Sequence, residues 1–131
     1  MIVDLEEKPG EWFELADGGR MQLKALSTQG YKAIQKQVVQ KKHDFVFNKM
    51  TRAMERIDYT EINDELREEL FWDTIIVAWE NLFDGKGNPI PCTKENKVQL
   101  MARSTKFKNV VEECMRKLNS IQLEREVATA S

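Results

Sequence analysis

Histidine occurs once, cysteine twice and proline three times in these 131 residues, and each scarcity narrows what the chain can do. The one imidazole, His43, stands among Lys41, Lys42 and Asp44 with no cysteine or second histidine at ligand spacing, so it reads as a solvated side chain rather than a metal ligand or a base. Cys92 in a proline-rich loop and Cys114 on a helix face make neither a metal cluster nor a disulfide framework, which fits a reducing cytoplasm. No apolar run is long and uninterrupted enough to span a bilayer, so no membrane association is expected. The opening MIVDLEEKPG carries no basic start, apolar run or cleavage site, so no export is expected either. A net charge of −2 removes bulk attraction to phosphate backbones.

Catalytic pairings are equally scarce. Glu68 with Glu69, and Glu112 with Glu113, are neighbours in sequence; on a helix they point in different directions and cannot flank one scissile bond. No nucleophile and base pair stands out, so the chain reads as a non-enzyme without cofactor or metal. The window opening at Asp84 superficially resembles a calcium loop, with Asn88 at its fifth position and Glu95 at its twelfth. Lys86 at the third and Pro89 at the sixth spoil it, and a helix-ending turn is the better account.

What the chain does have is one strongly apolar stretch, LFWDTIIVAWENLF. On a 3.6-residue period Trp72, Ile76, Trp79 and Phe83 form one row, and Phe71, Ile75, Ala78 and Leu82 the next. A helix apolar over most of its circumference must be covered on several sides. The expected fold is therefore mainly α: a small helical bundle around this buried central helix, with a short N-terminal β-hairpin. Charged residues at 32% and hydrophobic ones at 41% suit a folded globular chain. The expected organisation is a single domain over residues 1–131, with a hairpin region at 1–26, the bundle at 27–127 and a frayed tail at 128–131.

The hairpin rests on two apolar-rich runs, EWFEL and MQLKAL, around Asp17-Gly18-Gly19, with Phe13 and Leu15 on one face and Met21 and Leu23 likewise paired. Ser27 or Thr28 offers a helix cap, after which Tyr31, Ile34, Val38, Phe45, Val46, Met50, Ala53 or Met54, and Ile57 recur at helical spacing. One long bent helix, or two with a break near His43, is expected there. Thr60 and Asn63 can cap the central helix, Gly85 to Pro89 ends it, Thr93 opens a short helix, and Ser104 caps a last one striped by Phe107, Val110, Val111, Cys114, Leu118 and Ile121.

Two surface features remain. Lys32, Lys36, Lys41, Lys42, Lys49, Arg52 and Arg56 concentrate in one region while residues 58–73 are acidic; complementary solvated faces account for this better than nucleic-acid binding, which lacks a motif and interleaved aromatics. Methionines usually fill core gaps, yet thioethers also make adaptable surfaces for apolar partners. The expected partner surface comprises Met50, Met54, Met101, Met115, Ile121 and Leu123, which extend the apolar stripes beyond the closed core.

The segment IIVAWENLFDGKGNPIPCTKENKVQLM resembles the tail assembly chaperones of long-tailed (siphovirus-type) bacteriophages. The matching features are an apolar helix ending at Trp79, the turn from Asp84-Gly85 through Asn88, the extended Pro89 to Cys92, and Thr93-Lys94-Glu95-Asn96 opening a helix. The hairpin, the Leu26-Ser27-Thr28 helix start and the basic region follow in similar order. The resemblance implies a chaperone of the host bacterial cytoplasm that binds the tape measure protein, helps recruit tail tube protein, self-associates and leaves before the virion is complete. It supplies no catalytic residues. A structural head-tail or tail component retained in the virion is the alternative, and a nucleic-acid-binding phage regulator the third.

Overall fold

Alternation and turn chemistry place the first sheet. In the computed structural model, which describes residue 1 and residues 9–130, strands β1 (Glu11–Glu14) and β2 (Arg20–Leu23) pair antiparallel with Phe13 opposite Met21. The acidic opening residues Asp4, Glu6 and Glu7, and residue 131 of the expected tail, lie outside the described residues. A short 3-10 turn at Ala16–Gly18 joins the strands; Asp17 (φ 58°) and Gly18 (φ 78°) take the left-handed conformation that Asp and Gly adopt most readily. Phe13, Met21 and Leu23 are buried, as the period-two pattern predicts. Gly10 is held at φ 106°, and a Cβ there would lie 2.4 Å from the Leu23 carbonyl oxygen, so only glycine fits this approach to the sheet.

The central helix divides in two. Helix α2 (Asp64–Ile75) ends where strand β5 (Ile76–Glu80) begins, and β5 adds to β2 to complete a sheet of order β1-β2-β5. Leu23 pairs with Ile76 and Gln22 with Ala78, so the register slips by one residue and leaves Val77 as a bulge. The extra residue returns Trp79 to the face of Ile76, three positions away. A bulged strand thus reproduces the i, i+3 spacing of a helix. The β-branched pair Ile76-Val77 and the open edge of β2 favour the strand.

The chain groups into two units, residues 1–26 with 71–131 and residues 27–70. In the first, helix α3 (Lys94–Arg103) and helix α4 (Thr105–Ala130) complete the core, with α4 packed on β2. Thr93 Oγ1 accepts from Asn96 N–H and Ser104 Oγ from Phe107 N–H, so both expected caps form. Val111, Cys114 and Leu118 of the expected stripe are buried in one cluster with Met21, Leu23, Ile75, Ile76 and Trp79. Helix α4 continues to Ala130, through residues 128–130 that lack any sequence pattern.

The second unit holds α1 (Thr28–Val38), strands β3 (Val39–Asn48) and β4 (Ala53–Ile62), and the first turns of α2. Ser27 caps α1 by accepting the Gly30 N–H at 3.0 Å, and Asn63 caps α2 by accepting the Leu66 N–H at 3.1 Å. Ile34 and Val38 are buried as helical periodicity requires. From Val39 onward, however, the expected basic helix is a ten-residue antiparallel ribbon. The fold is therefore mixed α/β with two antiparallel sheets, not the mainly α bundle around a buried central helix that the periodicity implies.

Candidate partner-binding surfaces

The β3–β4 ribbon is built with almost no cover. Every residue of β4 and eight of the ten in β3 are exposed. Its register sets Val39 opposite Ile62, Phe45 opposite Arg56 and Phe47 opposite Met54 without interruption. Directly opposed residues share a face in an antiparallel pair. One face therefore carries Phe45, Phe47 and Met54 toward the turn, with Arg56 beside them and His43 and Asp58 behind. The other carries Val46, Ile57 and Tyr59 among Lys42, Asp44, Glu55 and Glu61. Phe45 and Phe47 are each 55% exposed and Met54 60%.

The turn between the strands, Lys49 to Arg52, contains no glycine or proline. It is held instead by Asn48, whose side-chain oxygen accepts the Met50 N–H at 2.9 Å while its amide donates to Glu55 at 2.8 Å. Arg52 takes the left-handed conformation at φ 52°. Met50 projects from this tip and is 93% exposed.

Strand alternation also separates the basic residues. Lys41 and Lys42 point to opposite faces, Lys42 pairs with Glu61, and Arg56 Nε lies 2.9 Å from Asp58. The hydrogen bond from Lys42 to Glu61, then their mutual attraction, raises the Lys42 pKa above the ordinary lysine value. No single basic face results from this arrangement of the ribbon.

In the other unit, Trp12 and Phe13 of β1 with Ile121 of α4 floor a groove of about 580 Å³, edged by Glu113, Arg116, Lys117 and Ser120. Arg20 stacks over Trp12 with its guanidinium 4.7 Å from the ring centre, and it reaches Glu14 at 3.1 Å and Glu80 at 3.3 Å. Of the six residues expected to form a partner surface, two belong to the ribbon's unit and four to the other. Met50 and Met54 lie on the ribbon, whereas Met101 is 9% exposed in the core and Met115 packs partly against it. Ile121 lines the groove and Leu123 stands exposed on α4. Phe45 and Phe47 lie outside that set; with Val46 they form an aromatic and β-branched run of the kind enriched in strands.

The residues of the calcium-like window close a turn. The Asp84 carboxylate accepts the backbone N–H of Lys86 at 2.8 Å and of Asn88 at 3.0 Å. Those backbone bonds, Asn88 foremost, hold its pKa below the usual carboxylate value. A carboxylate with a lowered native pKa stabilises the fold above its unfolded pKa of about 4, and that contribution disappears as pH falls through the native value. Asp84→Ala is therefore expected to melt below the parent protein at neutral pH, with the gap closing on acidification; thermal scans at pH 7 and near pH 3 measure it. Burial pushes both the Cys92 and Cys114 thiols above the ordinary cysteine value, which disfavours the thiolate. Among the described residues no group of His, Cys, Asp and Glu is arranged to hold a metal ion, and no helix is long and apolar enough to cross a membrane.

The ribbon is thus exposed on both faces and ends in aromatic and thioether side chains. By sequence, residues 26–131 match the family model of the YdaY prophage protein, and the chain belongs to that family. It is accordingly a phage-derived protein. No curated protein and no solved structure matches it.

Proposed function

We propose that this prophage protein is a non-enzymatic tail assembly chaperone, which binds the tape measure protein in the host bacterial cytoplasm and helps recruit tail tube subunits. The supporting observation is the uncovered apolar end of the ribbon, where Phe45, Phe47, Met50 and Met54 share one region of a strand pair. Large exposed apolar patches on a folded protein mark sites that bind other macromolecules. Methionine and phenylalanine adapt to varied apolar surfaces, which suits a client offering many similar turns of one long amphipathic helix. Many weak contacts along such a helix give avidity without a tight single site. The choice of the tape measure protein as client rests on the resemblance to tail assembly chaperones, and the phage lineage is compatible with it.

The test is co-expression of the full chain with the tape measure protein of the same phage. Met50→Glu with Met54→Glu is expected to reduce capture at least about tenfold, since two carboxylates would have to be desolvated on the client. Circular dichroism should be unchanged because both side chains are exposed. Undiminished capture by a folded double variant refutes the ribbon as the client surface. Mass spectrometry of purified virions distinguishes the structural alternative: a chaperone is absent from mature particles, whereas a head-tail or tail component remains in them.

A further inference from the structure

The two long edges of the ribbon are not equivalent. On β3, the Asp44 side chain accepts the N–H of its own neighbour Phe45 at 2.8 Å, so a carboxylate already occupies that edge. Carboxylates placed in this way protect a strand edge from further pairing. The ladder's phase identifies which groups β4 leaves outward. Asn63 N–H donates to Val38 C=O at 3.0 Å, one residue beyond the Val39–Ile62 pair, and hydrogen-bonded pairs alternate along an antiparallel ladder. The backbone groups of Met54, Arg56, Asp58 and Thr60 therefore face away from β3. Strand β4 has no proline and no bulge, and among the described residues its outer edge pairs with no other strand.

We infer that a second copy of this chain pairs with that edge, β4 antiparallel to β4 about a two-fold axis at Ile57, so that two ribbons form one four-stranded sheet. The sequence AMERIDYTEI is self-complementary in this register. Ile57 meets Ile57 of the second copy, and Arg56 faces Asp58 on both sides of the axis, which gives two cross-strand ion pairs of opposite charge. Arg56 already reaches Asp58 within its own strand at 2.9 Å, so dimerisation extends that pair into a four-membered alternating cluster. Glu55 falls opposite Tyr59, whose hydroxyl can donate to it. No like charges oppose one another between residues 53 and 61 in this register. A two-stranded ribbon exposed on both faces is marginal by itself, and four strands relieve that weakness. Edge pairing engages the backbone and leaves the faces with Phe45, Phe47 and Met54 open, so it is independent of client binding.

Sedimentation equilibrium of the full chain, run through the micromolar range, tests the pairing by charge reversal. The parent protein should dimerise reversibly. R56D alone and D58R alone each set like charges opposite one another twice, and each should weaken the dimer roughly tenfold. The double variant R56D/D58R recreates both ion pairs with their signs exchanged and should restore the parent affinity. Circular dichroism of all four proteins should superimpose, because both positions are exposed. A parent that stays monomeric, a dimer indifferent to the single reversals, or a double variant no better than the singles overturns the inference. Loss of tape measure capture with dimerisation intact bears on the client surface and leaves the pairing standing.

Discussion

Trp79→Ala is expected to lower the unfolding free energy by about 4 kcal/mol. Trp79 is 8% exposed on β5, opposite Met21, and its ring meets that of Phe107 edge-on with centroids 5.8 Å apart. Its indole N–H donates to the Ile90 carbonyl at 2.7 Å, which ties the extended segment after the Asp84 turn back to the sheet. Truncation removes the apolar burial, the edge-to-face contact and the partner of a backbone carbonyl together. Urea denaturation measures the loss, and the melting temperature should fall by roughly 12 °C or more. Trp79→Phe keeps most of the apolar area and forfeits the donor, so about 1–2 kcal/mol is expected. A loss below about 1 kcal/mol for the alanine variant would falsify the placement of this tryptophan in the core.

The same residue shows where sequence reasoning succeeds and where it stops. Of the apolar row Trp72, Ile76, Trp79 and Phe83, Ile76 and Trp79 share a buried face, Trp72 is half-buried and Phe83 is exposed. Apolar spacing could not distinguish a helix from a strand carrying a bulge, because the slip at Val77 converts a period of two into a spacing of three. The decisive factor is the open edge of β2, a tertiary partner more than fifty positions away in sequence. Local turn chemistry was more informative: Asp17 and Gly18 marked the first hairpin, and Ser27, Thr93 and Ser104 each cap a helix through the expected side-chain oxygen.

The ribbon was illegible for the opposite reason. Its turn, Lys49-Met50-Thr51-Arg52, lacks the glycine or asparagine pair that signals a hairpin, and it is held by Asn48 just outside it, which accepts the Met50 N–H and donates to Glu55. With that punctuation missing, Phe45, Met50, Met54 and Ile57 fit a helical template as well as they fit alternation. Of the six partner residues read from methionine and apolar stripes, Met50 and Met54 are highly exposed because the segment is a strand pair, whereas Met101 turns inward from α3. Periodicity locates apolar residues; whether they face a core or a visitor depends on which elements fold over them.

Lys97 was not anticipated by any pattern, and its pairing with Asp73 yields the second large effect. Its side chain is nearly buried, and Nζ donates to both the Asp73 carboxylate and the Asp73 backbone carbonyl at 3.1 Å. The carbonyl belongs to the last turn of α2, where the switch to β5 removes the helical donor it would otherwise have; a cation there also complements the helix dipole. Asp73→Ala leaves an ammonium buried with one neutral acceptor and should cost about 2–3 kcal/mol, less than a fully enclosed pair because the carboxylate is partly exposed to water. Lys97→Met keeps the stem's volume and removes the charge that needs compensation, so about 1 kcal/mol is expected, chiefly for the orphaned carbonyl. The informative measurement is the double variant Asp73→Ala with Lys97→Met, which should be more stable than Asp73→Ala alone because the buried charge has gone. Strictly additive losses would show that the two residues do not act as a pair. The expected non-additivity follows from the fold itself: α3 supplies a cation at the point where α2 turns into a strand.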